Sequence, residues 1–176
     1  MTSAIHLAPL TDNAEVIAAL SDILIEVVEN GGSVSFMHPL AHDVAADFWK
    51  DSLARAGSGG RVVLGAWQGD DLIGTVTLDL TTPPNQPHRA EITKLMTRVS
   101  ARGRGVARSL MLEAERIAVE RGRTLLVLDT AAEGGAAGLY ERLGYQRVGV
   151  IPNYALKPRG GLTGTIIYFK PIGPPT

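Results

Sequence analysis

The chain contains no cysteine, which excludes disulfides, thiolate metal sites and a cysteine nucleophile together. Excess charge of one sign is also missing. Seventeen Lys and Arg stand against 18 Asp and Glu, a formal net charge of −1, so no global field draws the molecule to nucleic acid or to an anionic membrane. Aromatics make up only 5% and are not interleaved with basic residues, which argues against a nucleic-acid module. No apolar stretch approaches the roughly 18 residues needed to span a bilayer. Residues 1–10 lack the basic start and apolar run of a secretory signal. The four histidines, His6, His38, His42 and His88, fall in loops or at element ends without ligand spacing, so no metal site is expected. A cytoplasmic protein is the expectation, in keeping with the missing cysteine.

What is present suits one globular domain over residues 1–176, with 45% hydrophobic residues to build a core. Ile5 to Leu7 reads as a short strand, and Thr11 and Asp12 as helix-start residues. Val16, Ile17, Leu20, Leu24, Val27 and Val28 then recur at helical spacing until Gly31-Gly32. A second helix is expected over His42 to Ala56 with Val44, Phe48 and Leu53 inward. Two strand-like runs, Arg61 to Trp67 and Asp71 to Leu80, are joined by Gln68-Gly69-Asp70, a hairpin signal. In the second run Ile73, Thr75, Thr77 and Asp79 are expected on one face and Leu72, Val76, Leu78 and Leu80 on the other.

After a proline-rich loop, Arg89 to Thr97 resumes strand character. Val106 to Arg121 is the most clearly periodic helix. Thr124 to Asp129, apolar throughout Leu125 to Leu128, reads as a strand buried on both faces, and Gly135 to Leu143 as a short helix. Strands Tyr145 to Ile151 and Thr165 to Phe169 follow, with Pro152 to Gly164 as an irregular connector. The order is helix-rich, then β-β-β-α-β-α-β-β, a mixed sheet with helices.

The most informative stretch is Leu95 to Ala107, a strand that enters Arg102-Gly103-Arg104-Gly105 and passes directly into the periodic helix. A helix start has unpaired amides and a positive partial charge, and glycines let a phosphate approach that backbone. The physical reading is an anion site for a phosphorylated ligand, Arg102 to Arg108. The competing reading is a solvated basic turn. A dinucleotide fingerprint is ruled out by Arg108 where a third glycine belongs, and a Walker loop by the absence of Gly-Lys-Ser/Thr.

The ordered context resembles the GNAT superfamily of N-acetyltransferases. Its Gln/Arg-x-x-Gly-x-Gly/Ala motif is matched by Arg102, Gly105 and Ala107, and its small-residue-Leu-Tyr-Glu-x-Leu-Gly-Tyr string by Gly138 to Tyr145. Gly31 to Met37, Arg89 to Met96, Ser100 to Gly105, Leu128-Asp129-Thr130 and Ile167 to Lys170 are similar, more narrowly, to the tabtoxin-resistance acetyltransferases. The resemblance implies an α/β (α+β) fold: a mixed, mostly antiparallel sheet, splayed between two parallel strands and flanked by helices. It implies acetyl-CoA as donor, with the backbone of Leu95, Met96 and Thr97 along its pantetheine arm and Arg102, Gly103, Arg104, Gly105, Val106, Ala107 and Arg108 around its pyrophosphate.

Acetyl transfer to an amine needs a proton acceptor, oxyanion stabilisation and a proton for the leaving thiolate. Asp129 at the end of its strand, Glu91 in a strand where an acid lacks β propensity, and the phenol of Tyr140 are the candidates. The competing readings are a capping or turn role for Asp129, a surface position for Glu91 and packing for Tyr140. The resemblance implies the same three residues. Phe36, Met37, His38 and His88 are expected to line the acceptor pocket, bordered by the loops Pro83 to His88 and Pro158 to Gly161. The expected partner is a small-molecule amine such as a β-lactam amino-acid toxin or another amino-acid-like compound. Nucleic acid and membrane are not expected partners, and the chain is expected to be a monomer or a homodimer. Two readings stay open beside it: an acetyltransferase for peptide or protein N-termini, and a non-catalytic acyl-CoA-binding domain.

Overall fold

The computed structural model describes residues 4–173. Its described residues form seven strands and four α-helices: β1 (Ile5–Pro9), α1 (Ala14–Glu29), α2 (His42–Gly57), β2 (Arg61–Gln68), β3 (Asp71–Asp79), β4 (Arg89–Thr97), α3 (Val106–Glu120), β5 (Leu125–Ala131), α4 (Ala137–Arg142), β6 (Gln146–Leu156) and β7 (Leu162–Pro171). A single 3-10 turn, Val99–Ala101, joins β4 to the glycine loop. The strands make one sheet in the order β1-β2-β3-β4-β5-β7-β6, antiparallel except for the pair β4–β5. This is the mixed, helix-flanked α/β architecture expected.

Each sheet face carries its own core. On one side Leu64, Val76, Leu78, Ile92, Leu126, Leu128 and Tyr168 pack against α3 and α4. On the other, Val63, Leu72 and Met96 meet Leu20, Leu24, Trp49 and Leu53 of α1 and α2. The helix starts differ from expectation in detail. Asn13, not Thr11 or Asp12, caps α1, its Oδ1 accepting from the amide of Val16 at 2.8 Å. In α2 the buried stripe is Ala45, Trp49, Ser52 and Leu53, while Val44 is exposed. Val44 stands one residue, about 100°, off that stripe.

Two bulges change faces that simple alternation assigns. Between β2 and β3 the register shifts at Ala66/Trp67, so Leu72 opposes Trp67 and Gly74 opposes Ala66. The inserted Ile73 therefore joins Val76 and Leu78 in the α3-side core, and Leu72 goes to the α1/α2 side. In β4, Thr93 pairs with Thr77 but Met96 with Thr75, which leaves an extra residue at Lys94-Leu95. Lys94 sits there with φ of 52°.

The largest departure is at the C-terminal end. Pro152 to Gly164 is no irregular connector; most of it is strand, in a long β6–β7 hairpin that turns through Lys157–Gly161. Pro152 is tolerated because β6 is the edge strand and the register breaks between Ile151 and Ala155. β5 also runs on past Asp129 to Ala131, and only Leu126 and Leu128 of its first four residues are fully buried.

Candidate active site

The parallel pair β4–β5 is joined only at its beginning. Arg89, Ala90 and Glu91 pair with Leu125, Leu126 and Val127, and there the ladder stops. Both strands continue, β4 to Thr97 and β5 to Ala131. The edge of β4 from Ile92 onward and the edge of β5 from Leu128 onward thus face a gap with unpaired backbone groups, a slot that accepts a strand-like ligand arm. Leu95 and Met96 lie along it on opposite faces, Leu95 against the α3-side core and Met96 in the other. Thr97 pairs with Gly74 on the far side.

The glycine loop lies at the open end of the slot. Gly105 is the N-cap of α3 with φ of 79° and provides no capping side chain. The amides of Val106, Ala107 and Arg108 open the helix and have no partner inside it. A Cβ at Gly103 or Gly105 would meet nothing within 4 Å, so the backbone on that side is bare. Arg102 and Arg108 are exposed or partly exposed, and Arg104 is anchored by a 2.9 Å hydrogen bond from its Nη2 to Gln68 Oε1. Upstream, Glu26 of α1 accepts from Arg98 Nη1 at 3.0 Å and from the amide of Val99 at 2.6 Å, which pins the end of β4. Bare amides, glycine and arginine suit a pyrophosphate. Among the described residues no cluster of His, Cys, Asp or Glu suits a metal ion.

Glu91 is the last residue of β4 paired with β5, half-buried, with Arg89 Nη1 at 3.5 Å. Asp129 lies two residues beyond Val127, so it shares the face of Glu91 with their Cα atoms on the order of 8 Å apart. It is exposed within β5 and is not a cap or turn residue; its Oδ2 accepts from Thr165 Oγ1 at 2.7 Å. Thr165 is buried on β7, and its hydroxyl also lies 3.1 Å from the Thr130 carbonyl. Tyr140 comes from α4 and is 6% exposed, its ring edge-on to Tyr145 and tilted to Tyr168, with both centroids 5.9 Å away. Burial first, and the Asp129 charge second, push its phenol well above the ordinary tyrosine range. It therefore keeps its proton through the ordinary pH range and is present there as a hydrogen-bond donor to a departing anion.

Lys94, absent from the expected site, links these groups. Strict alternation would turn it away from Glu91, onto the face of Ile92. The bulge turns it back onto the α1/α2 side, where its Nζ stands 5.6 Å from the Phe48 ring centroid and donates to Ser35 Oγ at 3.3 Å. Burial lowers its ammonium pKa; Asp129 and Glu91 oppose that shift and Arg61 adds to it. Asp129 therefore acts electrostatically on Tyr140 on one side and on Lys94 on the other, and Lys94 also senses Glu91.

The expected pocket residues divide. Phe36 meets Phe48 edge-on at 5.2 Å, on the wall beside Lys94. Met37 is exposed, and the His38 amide donates to the Pro158 carbonyl at 2.8 Å, tying the loop after α1 to the β6–β7 turn. His88 stands apart. It is exposed and its carbonyl accepts from the amides of Thr124 and Leu125, which places it with the Pro83 to His88 loop at the closed end of β4–β5. Parallel strands splay at one end only, and these residues precede the paired end.

This geometry has known counterparts. Residues 26–145 match the model of the Acetyltransferase (GNAT) family. The chain belongs to that family, and the family uses acetyl-CoA. It is 31% identical over 117 residues to N-acetyltransferase 8B of Rattus norvegicus, a match covering 65% of this chain and 51% of that protein. The chain thus spans about half the length of this curated relative. The fold superposes on an N-acetyltransferase from Staphylococcus aureus Mu50 with a TM-score of 0.78 at 18% identity, over 94% of this chain and 98% of that one. A ribosomal-protein-alanine N-acetyltransferase from Brucella melitensis gives 0.79 at 21% identity, over 94% and 99%. The Salmonella typhimurium protein yncA, solved with its cofactor acetyl-CoA, gives 0.75 at 16% identity, over 95% and 94%.

Proposed function

We propose that the chain is an N-acetyltransferase that moves acetyl from acetyl-CoA to the amine of a small molecule, by direct transfer in a ternary complex. The observation that carries this reading is that Glu91 and Asp129 share a sheet face where the β4–β5 ladder stops, that Tyr140 lies within the field of Asp129, and that the slot beyond leads to the bare start of α3. The slot backbone at Leu95 to Thr97 and the loop Arg102 to Arg108 hold the donor, which supplies a thioester-activated acetyl group. Glu91 and Asp129 orient the acceptor ammonium and take its proton. An amide near Met96 or Thr97 polarises the thioester carbonyl as the N–C bond forms. The C–S bond then breaks and Tyr140 protonates the thiolate. With no cysteine in the chain, no acyl-cysteine stage intervenes.

A small acceptor is favoured over a polypeptide by the β6–β7 turn. The Pro158 carbonyl accepts from the His38 amide and the Arg159 guanidinium donates to the Glu29 carbonyl, which brings the hairpin tip over the loop that carries Ser35 and Phe36. A peptide would need an open groove there. Amino-acid-like compounds, including β-lactam amino-acid toxins with a resistance role, are the acceptors we favour. We place the reaction in the cytoplasm and in one domain over residues 1–176. The test is CoA release from acetyl-CoA with a panel of small amines, amino acids, β-lactam amino acids and short peptides. Turnover confined to small molecules supports the reading. Preference for peptides overturns the acceptor class, and acetyl-CoA binding without turnover on any member favours an acyl-CoA-binding domain.

A further inference from the structure

Lys94 makes no direct ion pair among the described residues. Of the four lysines, Lys50, Lys157 and Lys170 meet carboxylates at 3.2, 2.6 and 2.8 Å, whereas no described carboxylate lies within 4.0 Å of Lys94. Its ammonium rests on the Phe48 ring and the Ser35 hydroxyl. Holding it there carries a second cost. Among the described residues, the non-glycine ones with positive φ are Ser35 at 75°, Lys94 at 52° and Asn153 at 53°, and the first two touch each other through the Nζ–Oγ hydrogen bond. Each sits in a backbone region that is unfavourable for its side chain. Strain at two contacting residues, combined with a desolvated and unpaired charge, marks a binding element better than a structural one.

The charges around it define what would bind. Glu91 and Asp129 act on Lys94 from the same face, and Arg61 is already neutralised by Asp79 at 2.6 Å. Glu91 is likewise met by Arg89 at 3.5 Å, so the open charges are one negative, Asp129, and one positive, Lys94, a pattern complementary to a ligand with an ammonium at one end and a single negative group at the other. Ser35 Oγ accepts from Lys94 and keeps its own hydrogen to donate. Phe36 and Phe48 form an apolar wall alongside. We infer that Lys94 and the Ser35 hydroxyl bind a carboxylate on the acceptor, so that the substrate is an amino acid or related amino-carboxylate whose amine points to Glu91 and Asp129. This rests on the acetyltransferase reading above and names the substrate feature that the site selects.

The test pairs each of a set of α-amino acids and β-lactam amino acids with its own carboxamide. Binding to the CoA-saturated enzyme is measured by calorimetry, and turnover by CoA release, for wild type, Lys94→Met, Lys94→Gln and Lys94→Arg. The wild type should prefer the carboxylate member, and the carboxylate-to-carboxamide ratio of Kd and of kcat/KM should fall about 10–100-fold in Lys94→Met and Lys94→Gln. Lys94→Arg should keep most of the preference. A ratio unchanged by Lys94→Met and Lys94→Gln overturns the inference, as does a wild type that binds no carboxylate member. If the latter enzyme still acetylates carboxamides or plain amines, the acetyltransferase reading stands alone; if it acetylates nothing, both fall.

Discussion

At the scale of single residues, the site is governed by how much water each charged group has lost. Tyr140 is buried and feels Asp129, and both effects keep its proton on. Lys94 is also desolvated, but its charged form is the one penalised. The sign of the stability effect follows. Its folded pKa lies below the unfolded 10.5, so the folded state binds fewer protons between those values, and stability rises with pH across that interval. Below the folded pKa the penalty is present in full. Lys94→Met should therefore raise Tm at neutral pH, with the gain over wild type shrinking as pH climbs toward 10.5. Thermal melts of both proteins across pH check this, and a Lys94→Met variant that is less stable at neutral pH would contradict it. Thr165 acts through Asp129, as a positioning residue. Thr165→Val should lower kcat about tenfold by removing a charge-assisted hydrogen bond, and Thr165→Ser should restore most of it. Loss in both variants alike would assign Thr165 to packing alone.

The difference between what local sequence discloses and what it conceals also appears at this scale. Tyr140 and the glycine loop belong to contiguous strings whose residue types state their chemistry. Lys94 and Thr165 do not. Lys94 reaches the site only because an inserted residue reverses strand alternation, and Thr165 meets Asp129 only through the β5–β7 register, in which Asp129 opposes Ile167.

Among elements, α3 is seated by two glycines in different ways. Gly74 on β3 lets it approach, since a Cβ there would come within 2.9 Å of Val106 Cγ1 and 3.1 Å of the Met96 carbonyl. Gly105 starts it in a left-handed conformation with open space on its bare side. Gly105→Ala should cost about 1–2 kcal/mol of stability through φ alone and raise the KM for acetyl-CoA about tenfold, a loss of about 1.4 kcal/mol in binding. Urea melts and donor-saturation curves separate the two. A melt-only effect would remove the loop from donor binding. Helix periods and the hairpin turn at Gly69-Asp70 were legible because they depend on neighbours a few residues apart. The long β6–β7 hairpin was hidden by Pro152 and by glycines at 160, 161 and 164, which read as a loop until an edge position makes a proline tolerable.

For the whole molecule, one sheet separates two jobs. The donor half is a backbone feature, formed where β4 and β5 part and where α3 begins, and such features leave glycine and arginine signatures in a short span. The acceptor half, as proposed, is assembled on the α1/α2 side from Ser35, Phe48, Glu91, Lys94, Asp129 and Thr165, residues from distant points of the chain, and no local pattern discloses that. Tyr140 stands where the halves meet, buried against the α3-side core yet within the field of Asp129 on the opposite side. In the proposed function the family sets the reaction type, and these few side chains select the acceptor. The decisive measurement is kcat for CoA release in Asp129→Asn and Tyr140→Phe, with acetyl-CoA affinity determined on the same proteins. Each variant should lose about 100-fold in kcat, as general base and general acid roles require, while acetyl-CoA binds within about threefold of wild type. Turnover at the wild-type rate in Asp129→Asn would contradict the base role of Asp129, and the same result in Tyr140→Phe would contradict the acid role of Tyr140.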